Sequence, residues 1–161
     1  MAILNTTPDS FFAGSRVSEG DALLHRAEQH LREGAAILDI GGVSTRPNAA
    51  DVAESEELRR VVSAIKAVKK EFPQSIISID TFRANVARAA VEAGASIVND
   101  VSAGGRFDAK LLETVAELRT PYVLMHSIGT PQTMQQNPVY QHVTTDVLDF
   151  FSVSNSANSA T

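Results

Sequence analysis

The residues best equipped for chemistry lie in short polar segments, each directly after an apolar run. The first is Leu4-Asn5-Thr6-Thr7-Pro8-Asp9-Ser10-Phe11. An Asn amide oxygen can ligate a hard cation, and Thr, Asp and Ser oxygens can surround a metal or an anion. A strand end followed by a plain Pro-Asp turn is the alternative. The second is Asp39-Ile40-Gly41-Gly42-Val43-Ser44-Thr45-Arg46-Pro47. Paired glycines let backbone N–H groups approach an anion closely. Ser and Thr add hydroxyl donors, and Arg46 adds a planar fork suited to phosphate oxygens. A glycine turn with a solvated Arg would be unremarkable, but this string directly after a buried strand is far more specific.

The third segment is Ile76-Ile77-Ser78-Ile79-Asp80-Thr81. Asp80 ends an apolar run, where it is expected to be partly desolvated. A carboxylate there can accept two parallel N–H bonds from a guanidine-like heterocycle edge. It can equally cap the following helix, a task that Thr81 could also perform. Asn99 ends the next apolar run and can both donate and accept toward the same ring, whereas Asp100 is expected to be structural. The last segment is Leu124-Met125-His126, with Gly129 and Pro131-Gln132-Thr133-Met134-Gln135 after it. A lone His at a strand end is more often structural than catalytic. It has no second ligand at zinc spacing. No nucleophile elbow is present.

The elements that must position these residues alternate. Strands are expected at Ala2–Asn5, Ala36–Ile40, Ser75–Asp80, Ser96–Asp100 and Tyr122–His126. Their nearly continuous Ile, Leu and Val content suits parallel strands buried on both faces. Helices are expected at Asp21–Glu33, Ser55–Phe72, Arg83–Ala93 and Asp108–Leu118, with a weaker one at Tyr140–Phe151. Pro73 stops the second helix and Gly94 caps the third. An internal repeat supports the alternation: Gly34-Ala35-Ala36-Ile37-Leu38-Asp39 returns as Gly94-Ala95-Ser96-Ile97-Val98-Asn99. Repeated βα units predict an α/β fold with right-handed crossovers. Asn5, Asp39, Asp80, Asn99 and His126 all fall where a strand hands over to its loop. That placement serves both a (β/α)₈ barrel and an open doubly wound sheet.

Composition narrows the classes. The chain has 161 residues, 43% of them hydrophobic and 20% charged, with a net charge of −5 and no cysteine. These values fit one globular domain and exclude disulfides and thiolate metal sites. With no visible basic patch, no nucleic-acid partner is expected. No apolar run is long enough to span a bilayer and no signal-peptide pattern is present, so no membrane partner is expected and the cytoplasm is the default location.

Taken together, the segments resemble dihydropteroate synthase. That family carries Leu-Asn-x-Thr-Pro-Asp-Ser-Phe, Asp-x-Gly-Gly-x-Ser-Thr-Arg-Pro, Ile-Ser-x-Asp-Thr, Asn-Asp, and Met-His with a downstream Met-Gln, in this order. The match spans about Met1 to Phe151. Residues 152–161 are Ser, Asn, Ala and Thr with only Val153 apolar, and are expected to form a polar, disordered tail. The resemblance implies a (β/α)₈ TIM barrel, here cut to about the first five βα units over residues 1–151. It also implies a transferase that joins 6-hydroxymethyl-7,8-dihydropterin diphosphate to p-aminobenzoate, with Mg²⁺ as cofactor. Full-length members form homodimers. By position, Asn5 looks like the Mg²⁺ ligand. Thr45 and Arg46 look like diphosphate contacts, and Asp80 and Asn99 look like the residues that hold the reacting pterin ring. Asp9, Ser10, Phe11 and Pro47 look like the p-aminobenzoate pocket. The family's later Asp-Pro-Gly, Lys and Arg-x-His segments are not in the chain. Asn48 stands where the family often has Gly. A sheet of five strands should leave two edges and an apolar face open, and the chain alone is expected to have no measurable synthase activity. A methyltetrahydrofolate:corrinoid methyltransferase is disfavoured by the Ser-Thr-Arg-Pro loop. An inactive fragment, or a module of a complementing assembly, is the other alternative.

Overall fold

The computed structural model describes residues 1–6, 19–43, 52–102, 104, 106–128 and 138–158. The order is β1 (Ala2–Asn5), α1 (Glu19–Arg32), β2 (Ile37–Gly41), α2 (Glu54–Glu71), β3 (Ile76–Asp80), α3 (Ala84–Ala93), β4 (Ile97–Asp100), α4 (Leu111–Leu118), β5 (Tyr122–Leu124) and α5 (Val143–Asn158). The strands pair in parallel in the order β1-β2-β3-β4-β5. Each new strand therefore joins the same growing edge. A doubly wound sheet reverses its order at a switch point; this one does not, so the fold is the barrel type.

Register sorts the side chains. Leu4, Ile40, Ile79, Val98 and Tyr122 lie level across the sheet, and residues one step along each strand point to the other face. The first set packs against the helices. Leu4, Leu38, Ile40, Ile77, Ile79 and Val98 join Val61, Ile65 and Val68 of α2, Val86 and Ala90 of α3, and Leu111 of α4 in one core. Helices α1 to α4 each bury one apolar stripe, as an amphipathic period of 3.6 requires.

The other face is open, as expected of a sheet of five strands, although the strand sequences by themselves suit cover on both sides. The apolar runs imply strands covered on both sides, yet Ile3 is 60% exposed, Ile76 45% and Val123 43%. In a closed eight-stranded barrel these inward positions fill the interior. In a five-stranded sheet they line an open face, flanked by the edge strands β1 and β5. Most element limits shift by a residue or two, and three larger shifts stand out. Strand β5 stops at Leu124 instead of His126, although Met125 N still donates to Asp100 O at 3.2 Å. Helix α4 begins at Leu111 because Asp108 is used as a cap, its Oδ2 accepting from Ala84 N at 2.8 Å. Helix α5 runs Val143–Asn158 where Tyr140–Phe151 was expected. Ser and Ala sustain a helix through backbone bonds alone, and Ser152 Oγ bonds back to Leu148 O at 2.8 Å.

Candidate active site

The strands' C-terminal ends bring three of the expected residues into one row. Asn5, Gly41, Asp80, Asn99 and Val123 are register partners across β1 to β5. Their side chains share the open face. Gly41 leaves a gap in the middle of the row. A Cβ built there would stand 3.5 Å from both Asn5 Oδ1 and Asp80 Oδ2. The missing side chain lets the Asn amide oxygen and the carboxylate approach each other over bare backbone. Thr6 fixes the neighbouring corner: its backbone N and its Oγ1 both donate to Gly41 O, at 2.9 and 3.0 Å.

Asp80 has no hydrogen-bonding partner among the described residues, so it is not spent as a helix cap. Thr81 and Asp108 take that work. Thr81 Oγ1 accepts from Arg83 N at 3.2 Å, and Asp108 caps Ala84 N. Burial pushes the Asp80 carboxyl up to about 7, and the carboxylates of Asp39, Glu57 and Asp100 push the same way. A raised carboxyl without a partner among the described residues, on the open face of the sheet, makes Asp80 a candidate site residue.

Asn99 is held by Asp39, whose Oδ2 accepts from Asn99 Nδ2 at 3.0 Å. Asp39 is 3% exposed, and its Oδ1 and the Oγ of Ser78 are buried without a partner among the described residues. The two residues face each other in the register between β2 and β3. Asp100 is structural, as its position suggested. It is fully buried and accepts from Ser102 N, Gly104 N and Tyr122 OH. Burial, and then this hydrogen bond, raise the Tyr122 phenol well above its usual range. His126 also takes the structural role. Its ring meets Phe150 edge-on at 4.9 Å and Tyr140 at 5.8 Å.

A second layer carries the site from below. Glu57, the fourth residue of α2, is fully buried. It accepts from Thr81 Oγ1 at 2.8 Å and from Arg83 Nη1. Arg83 Nη2 donates to Val52 O at 2.9 Å, and Arg60 Nη1 donates to Gly42 O at 3.3 Å. Thus α2 and the β3–α3 turn hold both ends of the segment that contains Thr45 and Arg46. Sequence reasoning missed Glu57 because it sits among Glu54, Glu56 and Arg59 in what looks like a solvated charge run. It missed the Asp39–Asn99 pair because nothing in one strand names its neighbour. Thr45, Arg46, Pro47, Asp9, Ser10 and Phe11 lie outside the described residues.

Gly42 is the tightest point of this layer. A Cβ there would stand 2.8 Å from both Glu57 Cγ and Val61 Cγ1. Gly42→Ala should therefore cost about 1–3 kcal/mol by overpacking. Urea denaturation of the variant measures this.

The chain has recognisable relatives. The family model for pterin binding enzymes matches residues 1–160. A dihydropteroate synthase of Haemophilus influenzae is 47% identical over 150 residues, which is 93% of this chain and 54% of that protein. Among solved structures, dihydropteroate synthase from Xanthomonas albilineans with 4-aminobenzoic acid superposes with a TM-score of 0.85 at 40% identity, covering 99% of this chain and 55% of that one. The enzyme from Clostridium difficile, solved with pteroic acid, gives a TM-score of 0.85 at 36% identity, with 99% and 57% covered. The chain thus spans about half the length of the dihydropteroate synthases it matches. No helix among the described residues is long and apolar enough to cross a membrane. With this sheet, this row of polar strand ends and these relatives, the chain belongs to the pterin binding enzyme family.

Proposed function

We propose that this chain provides the pterin- and diphosphate-binding half of a dihydropteroate synthase. The observation that carries this is the level row of Asn5, Gly41, Asp80 and Asn99 on the open face of the sheet. In this reading Asp80 accepts two N–H bonds from the amino-pyrimidine edge of 6-hydroxymethyl-7,8-dihydropterin diphosphate. Asn99 holds the adjoining ring edge. Thr45 and Arg46 hold the diphosphate, and Asp9, Ser10, Phe11 and Pro47 shape the p-aminobenzoate side. The bond between the pterin methylene carbon and the diphosphate oxygen breaks, and the electron pair leaves with diphosphate. The aromatic amine then forms the C–N bond and loses a proton. The anionic carboxylate of Asp80 stabilises positive charge spread into the ring.

Asn5 is the proposed protein ligand for Mg²⁺. Its amide oxygen is a hard neutral donor beside the gap that Gly41 leaves. Mg²⁺ is commonly held by one or two protein oxygens, with phosphate and water completing six, so the residues present fit it. When bound, the ion would neutralise charge on the departing diphosphate. A cytoplasmic location goes with this reading.

A second reading rests on the two edge strands and the exposed Ile3 and Val123. The chain would then act as one module of an assembly completed by a polypeptide with the remaining βα units. Both readings are tested by turnover assays with pterin diphosphate, p-aminobenzoate and Mg²⁺. The expected result is no dihydropteroate from the chain alone and product on mixing with the complementing polypeptide. Binding of methyltetrahydrofolate, but not of pterin diphosphate, would contradict the synthase reading.

The raised Asp80 carboxyl sets the pH dependence. Its ligand-binding form is the carboxylate, which dominates only above about 7. Pterin affinity of the mixed assembly should therefore fall as pH drops from 8 to 6, by about tenfold per unit below the midpoint. Flat affinity over that range would contradict the assignment of Asp80.

A further inference from the structure

The acceptor that Asp39 offers to Asn99 has a consequence for recognition, and it rests on the reading of Asn99 as a ring contact. A side-chain amide on a pocket wall can turn over, exchanging its oxygen for its nitrogen. Asn99 cannot do so without losing the 3.0 Å bond from Nδ2 to Asp39 Oδ2, because a carboxylate only accepts. We propose that Asp39 is a positioning residue that locks the Asn99 amide, so that Asn99 meets its ligand with Oδ1 and one remaining N–H in a fixed order.

Two observations separate this from ordinary buried packing. Asp39 is 3% exposed, yet only one of its oxygens is used by the protein among the described residues. Buried carboxylates that serve structure alone satisfy both, as Asp100 does here with Ser102 N, Gly104 N and Tyr122 OH. Moreover, the single bond that Asp39 makes goes to a side chain of the pocket row, on a strand that is not its neighbour. Strand β3 lies between β2 and β4, so the bond spans the sheet beneath Asp80. Ser78, the register partner of Asp39 on the intervening strand β3, contributes no hydrogen bond from its hydroxyl among the described residues.

The locked amide fixes a ligand pattern. An oxygen beside an N–H pairs with a ring N–H beside an unprotonated ring nitrogen. A reduced bicyclic ring with one protonated and one bare nitrogen flanking the ring fusion has this pattern. Its oxidised counterpart, with two bare nitrogens, does not. Asp39 thus acts on the discrimination between the two ring states through Asn99, without touching the ring.

The test needs no ligand, so it stands or falls apart from the assigned function. In the uniformly ¹³C,¹⁵N-labelled chain, a through-hydrogen-bond scalar coupling should link Asn99 Nδ2 to Asp39 Cγ. One Asn99 side-chain proton should exchange with solvent slowly. Asp39→Asn, whose amide oxygen can still accept, should keep that protection. Asp39→Leu, of similar size but without an acceptor, should lose it and speed exchange by about ten- to a hundredfold, with the backbone amide spectrum otherwise retained. Should Asp39→Leu not fold, the coupling in the natural chain and the Asp39→Asn result decide. Absence of the coupling, or equal protection in Asp39→Leu, overturns the proposal.

Discussion

Asp80→Asn should lower the affinity of the completed assembly for pterin diphosphate by about 10²–10⁴-fold, while making the chain more stable at neutral pH. The first effect follows from the loss of two charge-assisted hydrogen bonds, each contributing about 1.5–3 kcal/mol, at about 1.4 kcal/mol per tenfold. The amide can accept only one of the two N–H bonds and turns its NH₂ toward a donor. The second effect has the opposite sign and comes from the same burial. The carboxyl of Asp80 is raised from 3.8 to about 7. The folded state therefore holds the proton more tightly than the unfolded chain does. Between about pH 4 and pH 7 the natural chain loses stability as pH rises, and above 7 it carries the full penalty. The Asn variant carries none of it. Thermal denaturation should show the variant ahead at pH 8 and level with the natural chain near pH 3.5. If Asp80→Asn bound pterin normally, or melted earlier at pH 8, Asp80 would be a structural residue after all.

The largest expected effect on stability is at Arg83. Glu57 is fully buried, and Arg83 is its cationic partner. Arg83→Ala leaves the carboxylate without a counter-charge and frees Val52 O as well. Breaking a buried pair from one side costs about 3–5 kcal/mol. That is a large share of the 5–15 kcal/mol by which a domain is stable. Removing both charges is another matter. Glu57→Leu combined with Arg83→Met should recover most of the loss, because the desolvation cost disappears with the pair. Urea titrations of the two single variants and the double variant would give this coupling. A double variant no better than Arg83→Ala would mean that the pair is a net source of stability. The cost is borne where it is useful: Glu57 and Arg83 tie α2 to the turn after Asp80 and to Val52, at the end of the Thr45–Arg46 segment.

Alternating apolar runs located all five strands, because burial on the helix side alone suffices to require them. They also suggested cover on both faces, since Ile3, Ile76 and Val123 are as apolar as their buried neighbours. Hydropathy records what a position suits, not whether its cover is present. Strand ends delivered Asn5, Asp80 and Asn99 to one row because parallel register aligns them. The same logic could not tell a cap from a ligand at Asp80 and Thr81; only Asp108, brought in from the next βα unit, decides it. Glu57 was illegible because burial of a charge depends on partners far along the chain, here Thr81 and Arg83. His126 drew notice by type alone, and its neighbours Tyr140 and Phe150 explain it as packing.

The central claim is that Asn5, Asp80 and Asn99 line one pterin subsite. It is tested most directly by side-chain NMR of ¹³C,¹⁵N-labelled chain, mixed with an unlabelled polypeptide that carries the remaining βα units, as pterin diphosphate and Mg²⁺ are titrated in. The Asn5 and Asn99 amide signals and the Asp80 carboxyl signal should move together, with one shared dissociation constant. Saturable pterin binding that leaves all three signals unmoved would contradict it.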